Sequence, residues 1–222
     1  MVEVKNIDKF FGDLHVLKNI SFTLEKGKIL SIVGRSGAGK TTLLQIIGTL
    51  LKPENGKVYI DGINVLQLNG NKLAKFRNQK IGFVFQFHHL LPEFNALENV
   101  CIPGFLSGKN EGEVKTRAKE ILDFLGLSHR LNHNPNQLSG GEQQRVAVAR
   151  AIINNPSIIL ADEPSGNLDT TNKRELHKLF IKLRDQFKQT FIIVTHDKQL
   201  ANLSDTIIHI KDGEIIDITQ LN

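Results

Sequence analysis

Cysteine is almost missing from this sequence of 222 residues, which contains only Cys101. One thiol cannot build a disulfide framework, and a chain of this length can bury a sizeable core without disulfides or metals. Cys101 stands between the apolar residues Val100 and Ile102, so we expect it to pack as a small hydrophobic side chain. The cysteine count therefore excludes a disulfide-stabilised fold and indicates a reducing compartment.

Long apolar segments are also absent from the sequence. Its most apolar stretches, such as residues 158–161 and 191–194, are far shorter than the roughly 20 residues that cross a bilayer. The first twelve residues carry charges where a signal peptide needs an apolar segment. We therefore expect that the chain neither spans nor crosses a membrane on its own.

The sequence has no dense run of basic residues, internal repeat or low-complexity tail. Its 28 lysine and arginine residues exceed its 23 aspartate and glutamate residues, which gives a net charge of +5. This modest excess suits anionic partners, such as phosphates or acidic lipid surfaces, without selecting one of them. No nucleic acid partner is expected, because nucleic acid binding typically uses clustered lysine and arginine.

Short apolar segments occur in two groups, which are separated by helical patterns. Strands are predicted at residues 2–7, 19–24, 28–33, 57–60 and 81–85, and again at 158–161, 191–195 and 206–218. Helices are predicted at residues 41–51 and 171–186, and within the helical region from 87 to about 155. The pattern predicts a single α/β domain, in which residues 1–86 and 155–222 form a mostly parallel core around a helical subdomain at 87–154.

Residues 34–41 match the phosphate-binding pattern G-x-x-x-x-G-K-[ST] in full, between a predicted strand and a predicted helix. Glycines let backbone N–H groups converge on phosphate oxygens, and the helix start adds partial positive charge. We expect Lys40 to reach the β- and γ-phosphates and the Thr41 hydroxyl to bind Mg²⁺. The predicted nucleotide-binding residues are Gly34, Arg35, Ser36, Gly37, Ala38, Gly39, Lys40, Thr41 and Thr42.

Two carboxylates and a histidine follow predicted strands. Asp162 and Glu163 are neighbours on a strand and point to opposite faces, so they should have separate roles. We expect Asp162 to bind Mg²⁺ and Glu163 to act as general base on the attacking water. His196 ends another strand, and parallel strands bring their carboxyl ends to one edge of the sheet. The histidine is therefore expected to hydrogen-bond the γ-phosphate and hold the water.

A second anion-binding pattern lies in the signature segment, LSGGEQQR at residues 138–145. Ser139 and Glu142 are predicted to form a capping box, whereas Gly140 and Gly141 leave backbone N–H groups bare. The phosphate-binding pattern at residues 34–41 already provides a site for one nucleotide, so a second phosphate site in the same chain requires another explanation.

Together these motifs resemble the ATP-binding cassette (ABC) ATPases, and the resemblance covers essentially the whole chain. It implies a P-loop NTPase fold of the ABC type, with an N-terminal antiparallel β subdomain, a mostly parallel core sheet and an inserted helical subdomain. It also implies a homodimer formed through ATP, in which Ser139, Gly140, Gly141 and Glu142 close on the nucleotide of the other copy. The implied cofactors are ATP and Mg²⁺.

Three further assignments come from this resemblance alone. Gln86 matches the lid glutamine that senses the γ-phosphate and the membrane partner. The match implies that Gln86 has a catalytic role and is also one of the Mg²⁺ ligands. Residues 165–169 match the loop that crosses the dimer. Phe11 matches the aromatic residue that stacks on adenine, where many relatives have tyrosine.

Residues 85–100 and 163–169 narrow the resemblance to the LolD-type ATPases of bacterial lipoprotein-releasing systems. Macrolide-export and cell-division complexes are the alternatives among close relatives, and a soluble ABC ATPase that acts on nucleic acid or ribosomes is the alternative from another class. The resemblance implies an ATPase that powers substrate extraction or export with integral membrane permease subunits. It places the chain peripherally at the cytoplasmic face of the bacterial inner membrane, with membrane contact only through those partners.

Overall fold

The computed structural model describes residues 1–221, which form two sheets of different character. The antiparallel sheet contains β1 (Val2–Phe11), β2 (Leu14–Leu24), β4 (Asn55–Ile60) and β5 (Ile63–Asn64). The other sheet contains β3 (Ile29–Val33), β6 (Ile81–Phe85), β7 (Ile158–Asp162), β8 (Phe191–Val194), β9 (Thr206–Lys211) and β10 (Glu214–Gln220). Its strand order is β10-β9-β3-β8-β7-β6, and each pair is parallel except β10 with β9.

Helices cover the parallel sheet and fill the insertion between β6 and β7. They are α1 (Lys40–Ile47), α2 (Gly70–Lys80), α3 (Ala96–Leu106), α4 (Glu111–Phe124), α5 (Gly140–Ile152), α6 (Thr170–Phe187) and α7 (Lys198–Ala201). Within residues 1–221, none of these helices combines the length and the apolarity that crossing a bilayer requires. The predicted fold class, a mostly parallel core with an antiparallel N-terminal sheet and inserted helices, is confirmed.

The parallel sheet is buried on both faces, which explains why its central strands are apolar at almost every position. Successive residues alternate between the faces. Ile159 and Ile193 pack in the hydrophobic cluster formed with helices α3–α6, whereas Leu160 and Ile192 pack in the cluster that contains α1 and the antiparallel sheet. Each fully buried side chain of this kind contributes about 1.5–3 kcal/mol, so the two clusters hold the ends of these strands in fixed positions.

The first two strands are longer than the apolar pattern predicts. Asn6 and Asn19 both have φ near 51°, and the β1–β2 register shifts between Val4 and Ile7. Such irregularities interrupt the alternation of apolar and polar residues from which a strand is predicted. The strands therefore continue through segments that look like turns in the sequence.

Helix α1 is shorter than predicted, because it ends at Ile47 rather than near residue 51. The C-cap is Gly48, and a Cβ atom there would lie 2.6 Å from the Phe83 ring. Only glycine permits this close approach between the helix end and β6. Helix α1 therefore ends where the sheet leaves no room for a side chain.

Helix α2 is absent from the sequence prediction. None of its residues is buried, so it lacks the apolar stripe that predicts a helix. Phe76 packs against the core while remaining partly exposed, and Arg77 also anchors the helix, since its guanidinium donates to the hydroxyl and the carbonyl oxygen of Thr49 at 3.1 Å each. Polar tertiary contacts of this kind leave no periodic signal in the sequence.

Candidate functional site

The phosphate loop connects β3 to α1 and leaves the start of α1 open. Its N-cap is Gly39, which has φ 96° and supplies no side-chain cap, and the first turn of α1 contains no acidic residue. A Cβ atom on Gly39 would lie 2.7 Å from Leu17 Cδ2 and 2.8 Å from the Val16 carbonyl oxygen. The glycine therefore lets the loop pass close to β2, and the uncapped N–H groups of α1 suit an anion.

A cleft of about 450 Å³ opens beside this loop. This phosphate cleft is lined by Val16, Gly34, Ser36, Gly37, Gly39, Lys40, Thr41, Thr42, Gln86, Glu163, Val194 and His196. Lys40 Nζ donates to the carbonyl oxygens of Gly34 and Arg35 at 3.0 and 2.9 Å, which holds the ammonium group over the loop. The structure thus brings together most of the residues that the sequence predicts for the nucleotide.

Asp162 lies at the end of β7 and contacts the phosphate loop. The Thr41 hydroxyl donates to Asp162 Oδ1 at 3.2 Å. Burial raises the pKa of Asp162, the charge of Glu163 adds to this effect, and the Thr41 hydrogen bond opposes it. A cation beside this carboxylate would offset the cost of ionising it.

The residues around Thr41 fit a magnesium ion. A hydroxyl oxygen, a carboxylate oxygen and the amide oxygen of Gln86 form the set of hard oxygen donors that Mg²⁺ prefers. Within residues 1–221 there is no group of three or more His, Cys, Asp or Glu side chains that could enclose a metal.

Glu163 and His196 form a pair at the mouth of the phosphate cleft. His196 Nδ1 lies 2.9 Å from Glu163 Oε2, and the imidazole is 73% exposed whereas the carboxylate is only 20% exposed. Glu163 has φ 45°, a left-handed conformation that costs a non-glycine residue about 1–3 kcal/mol. Its backbone N–H donates to the Val194 carbonyl oxygen at 2.9 Å, which holds this turn against β8. The strained turn sets Glu163 apart from Asp162, as their separate predicted roles require.

The signature segment lies outside this cleft but has a well-defined geometry. Ser139 and Glu142 form the predicted capping box: the Ser139 N–H donates to Glu142 Oε2 at 2.8 Å, and the Glu142 N–H donates to Ser139 Oγ at 3.3 Å. Arg130 Nε donates to Glu142 Oε1 at 2.8 Å. Burial alone would raise the pKa of Glu142, but these hydrogen bonds from Ser139 and Arg130 outweigh it and lower the pKa to about 2.

Phe11, predicted to stack on adenine, lies near the tip of the β1–β2 hairpin with 51% of its surface exposed. Lys9 Nζ lies 5.2 Å from the centre of its ring. Phe11 is outside the set of residues that line the phosphate cleft, whereas Val16 on the same hairpin is within it. An exposed aromatic face at this position is available to a flat ring.

Sequence reasoning missed four residues that act on the site. Val16 and Val194 line the cleft, Arg130 holds Glu142, and Asn167 accepts a hydrogen bond from Gln86 Nε2 at 2.8 Å. The two valines have no sequence signal that separates them from other strand residues, and Arg130 lies in a polar loop without a periodic pattern. Asn167 belongs to a segment that the resemblance identified, but no role was predicted for its side chain.

The chain is similar to known proteins in sequence and in fold. The family model described as ABC transporter matches residues 17–166. The lipoprotein-releasing system ATP-binding protein LolD of Bacteroides fragilis is 60% identical over 97% of this chain and 100% of its own length. The protein of the same name from Shewanella denitrificans is 48% identical over 96% of this chain and 93% of its own length.

A solved structure shows the same fold over the whole chain. It is a dimeric, post-hydrolysis state of the ATP-binding cassette MJ0796 bound to ADP and Pi, with a TM-score of 0.90 and 43% identity. The similarity covers 100% of this chain and 99% of that structure. A second dimeric structure of the same cassette has a TM-score of 0.91.

Proposed function

This chain belongs to the ABC transporter family, and on that premise we propose that it is the ATP-hydrolysing subunit of a bacterial complex that releases lipoproteins from the inner membrane. It is an ABC ATPase, and relatives that are 45–60% identical over nearly its full length carry the lipoprotein-releasing name. The observation that carries ATP hydrolysis is the phosphate cleft, where Lys40, Glu163 and His196 line one cavity, and the names of these relatives support the assignment to lipoprotein release.

We assign the binding of the triphosphate to the phosphate loop. The N–H groups at the start of α1 and the Lys40 ammonium group would hold the β- and γ-phosphates. Thr41, Asp162 and Gln86 would bind Mg²⁺, which when bound neutralises phosphate charge and helps to orient the reacting group. Phe11 would stack on the adenine ring.

Glu163 has the geometry of a general base in this reaction. Because His196 occupies Oε2, the other carboxylate oxygen, Oε1, is left to accept a proton from the attacking water. His196 would fix the Glu163 carboxylate and hydrogen-bond the γ-phosphate with the edge of its exposed ring. The buried strands β7 and β8 hold both residues at a fixed separation.

A second copy of the chain would complete the shell around the triphosphate. The signature segment is not among the residues that line the phosphate cleft of its own protomer, and the solved structures at 43% identity are dimers. We therefore propose that Ser139, Gly140 and Gly141 of one protomer donate to the nucleotide of the other. Closure of this dimer would exclude bulk water from the reaction.

The segment after Gln86 offers a surface for an integral membrane permease subunit. Phe87, Leu91 and Phe94 are 67%, 42% and 41% exposed, which is unusual for large apolar side chains. Phe85, two residues before Phe87, helps to line a groove of about 380 Å³ together with residues such as Pro103. Docking of a permease here would place the chain peripherally at the cytoplasmic face of the inner membrane.

The test is capture of the partners in the ATP-bound state. Tagged Glu163→Gln protein, purified from membranes with ATP, should retain permease subunits, whereas Lys40→Ala should lose the ATP dependence of this association. The reconstituted complex should release acylated lipoproteins from vesicles only when ATP is hydrolysed. Capture of permeases with no lipoprotein release would favour macrolide-export or cell-division complexes. ATP hydrolysis that is stimulated by DNA or ribosomes, without any membrane partner, would contradict the proposal.

A further inference from the structure

The amide group of the Gln86 side chain can be oriented in two ways, and only one of them suits its proposed role as a metal ligand. A glutamine amide has two ends of similar shape, of which only the oxygen can bind Mg²⁺, while the NH₂ group is a hydrogen-bond donor. Free rotation about the last side-chain bond would present the wrong end to the metal for much of the time. A neighbouring residue that distinguishes the two ends would therefore raise the affinity for the metal.

Asn167 makes this distinction through two hydrogen bonds. Gln86 Nε2 donates to Asn167 Oδ1 at 2.8 Å, and Asn167 Nδ2 donates back to the Gln86 carbonyl oxygen at 3.4 Å. The backbone carbonyl oxygen can only accept, so it fixes the orientation of the Asn167 amide. That orientation presents Oδ1, which can only accept, to the Gln86 side chain. Gln86 must therefore turn its NH₂ end to Asn167, which leaves Oε1 for the phosphate cleft.

The turn that carries Asn167 fits closely against the same amide. A Cβ atom on Gly166 would lie 2.8 Å from Gln86 Nε2 and 2.9 Å from Cδ. The Gly166 N–H donates to the Glu163 carbonyl oxygen at 2.9 Å, so the turn begins at the proposed general base. Gln86 is thus held between a hydrogen-bond acceptor and a backbone surface.

We propose that Asn167 is a positioning residue, which selects the orientation of the Gln86 amide in which Oε1 faces the metal. Asn167 lies outside the set of residues that line the phosphate cleft, and it acts through Gln86. The inference rests on the proposed function, because it assumes that Gln86 is a metal ligand.

The experiment measures metal binding instead of turnover. Mn²⁺ replaces Mg²⁺, and its affinity for the full chain is measured by electron paramagnetic resonance with a saturating non-hydrolysable ATP analogue. Asn167→Ala should weaken Mn²⁺ binding about 5-fold, as expected for the loss of one hydrogen bond of about 1 kcal/mol. Asn136→Ala, a change at an exposed asparagine outside this contact, is the matched control and should leave the affinity unchanged.

A double-mutant cycle separates positioning from general damage to the loop. In a Gln86→Ala background, Asn167→Ala should have no further effect on Mn²⁺ affinity, because no amide remains to be oriented. Gly166→Ala, which displaces Gln86 by steric contact, should reproduce the loss with Asn167 intact, and it provides a second variant if Asn167→Ala folds poorly.

The outcomes distinguish this inference from the proposed function. An equal effect of Asn167→Ala in both backgrounds, or no effect in the wild-type background, would overturn the positioning role. Failure of the wild-type chain to bind the ATP analogue at all would instead contradict the ATPase proposal. Thermal unfolding of each variant confirms that the protein compared is folded.

Discussion

Two helix starts are assigned to nucleotide in this protein, and they satisfy their N–H groups in opposite ways. The start of α1 has a glycine N-cap, no side-chain cap and no acidic residue in its first turn. The start of α5 has a complete capping box, and its first turn contains Glu142, which Arg130 also holds. One start is therefore open to an anion, whereas the other already carries a carboxylate.

This difference indicates an order of events. An uncapped helix start with a nearby lysine can bind a triphosphate by itself. A helix start that already holds a carboxylate attracts a second anion less strongly. The start of α5 can therefore offer a nucleotide mainly the Ser139 side chain and the N–H groups of Gly140 and Gly141. We call the phosphate loop and the start of α1 the α1 side, and the signature segment at the start of α5 the α5 side. We therefore expect the α1 side to bind ATP first, and the α5 side to recognise ATP that the other protomer already holds.

The largest expected effect is on the rate of ATP hydrolysis, and it comes from changing the proposed general base beside the phosphate loop. Glu163→Gln removes the proton acceptor but preserves shape, so turnover should fall about 10²–10⁴-fold while ATP affinity is retained. The variant should accumulate as an ATP-bound dimer, which size-exclusion chromatography with light scattering measures. Glu120→Gln, at an exposed glutamate on α4, is the control. Hydrolysis by Glu163→Gln at a near wild-type rate would show that Glu163 is not the base.

The next effect tests whether α1 binds nucleotide unaided. Lys40→Ala removes a charge-assisted contact of about 1.5–3 kcal/mol, which corresponds to roughly 10–100-fold weaker ATP binding. Calorimetric titration of the chain with ATP measures this loss, and Lys52→Ala, at an exposed lysine, should leave affinity unchanged. Unaltered affinity in Lys40→Ala would refute the assignment of the phosphate loop.

The contrast between these regions also explains what the sequence could predict. The phosphate loop and the Ser139–Glu142 box are local patterns, in which each interaction joins residues within a few positions. The Gln86–Asn167 hydrogen bond joins residues 81 positions apart and has no signature in either segment. Helix α2 has no fully buried side chain, so the apolar periodicity that predicts α4 is missing there. Interactions between residues that are close in the sequence can be predicted from one sequence. Polar contacts between distant segments can be identified only once the fold is known.

The α5 side should affect assembly more than binding. Ser139→Arg replaces the cap with a bulky cation, so ATP-driven dimerisation should weaken at least about 10-fold, whereas ATP affinity of the protomer stays unchanged. Sedimentation velocity with ATP in the Glu163→Gln background measures the dimer. Asn136→Arg adds the same charge three residues earlier and should still dimerise. Dimers of undiminished stability in Ser139→Arg would contradict recognition between protomers.

A smaller effect is expected from the residue that holds the α5 carboxylate. Arg130→Met removes the hydrogen bond from Arg130 to Glu142 and leaves the hydrogen bonds between Glu142 and Ser139. Because one hydrogen bond is lost, we expect the free energy of unfolding to fall by about 1 kcal/mol. Urea unfolding measures this change. Arg117→Met removes an exposed ion pair with Glu120 and should cost less, because such pairs contribute about 0–1 kcal/mol. Equal losses in the two variants would mean that Arg130 is only a surface charge.

The smallest effect is a difference in how His177 and Glu142 respond to acid. His177 on α6 is 3% exposed, and its Nε2 atom lies 3.8 Å from Oδ2 of Asp197, the residue after His196. Burial lowers the pKa of His177 from its ordinary value of 6.5; attraction to Asp197 opposes this, and repulsion from Lys173 adds to it. Its contribution to stability is therefore complete above pH 6.5 and is lost as the pH falls through the folded-state pKa.

On the α5 side, the pKa of Glu142 is lowered from 4.5 to about 2, so its contribution is present above pH 4.5 and is lost only towards pH 2. Between pH 6.5 and 4.5, of these two groups only His177 should therefore lose its contribution. The stability of the wild type relative to His177→Leu should fall over this interval, because only the wild type must exclude a proton from the buried ring. The stability of the wild type relative to Arg130→Met should stay constant. Urea unfolding at several pH values measures both differences, and parallel curves for wild type and His177→Leu would show that His177 does not make the protein sensitive to acid in this range.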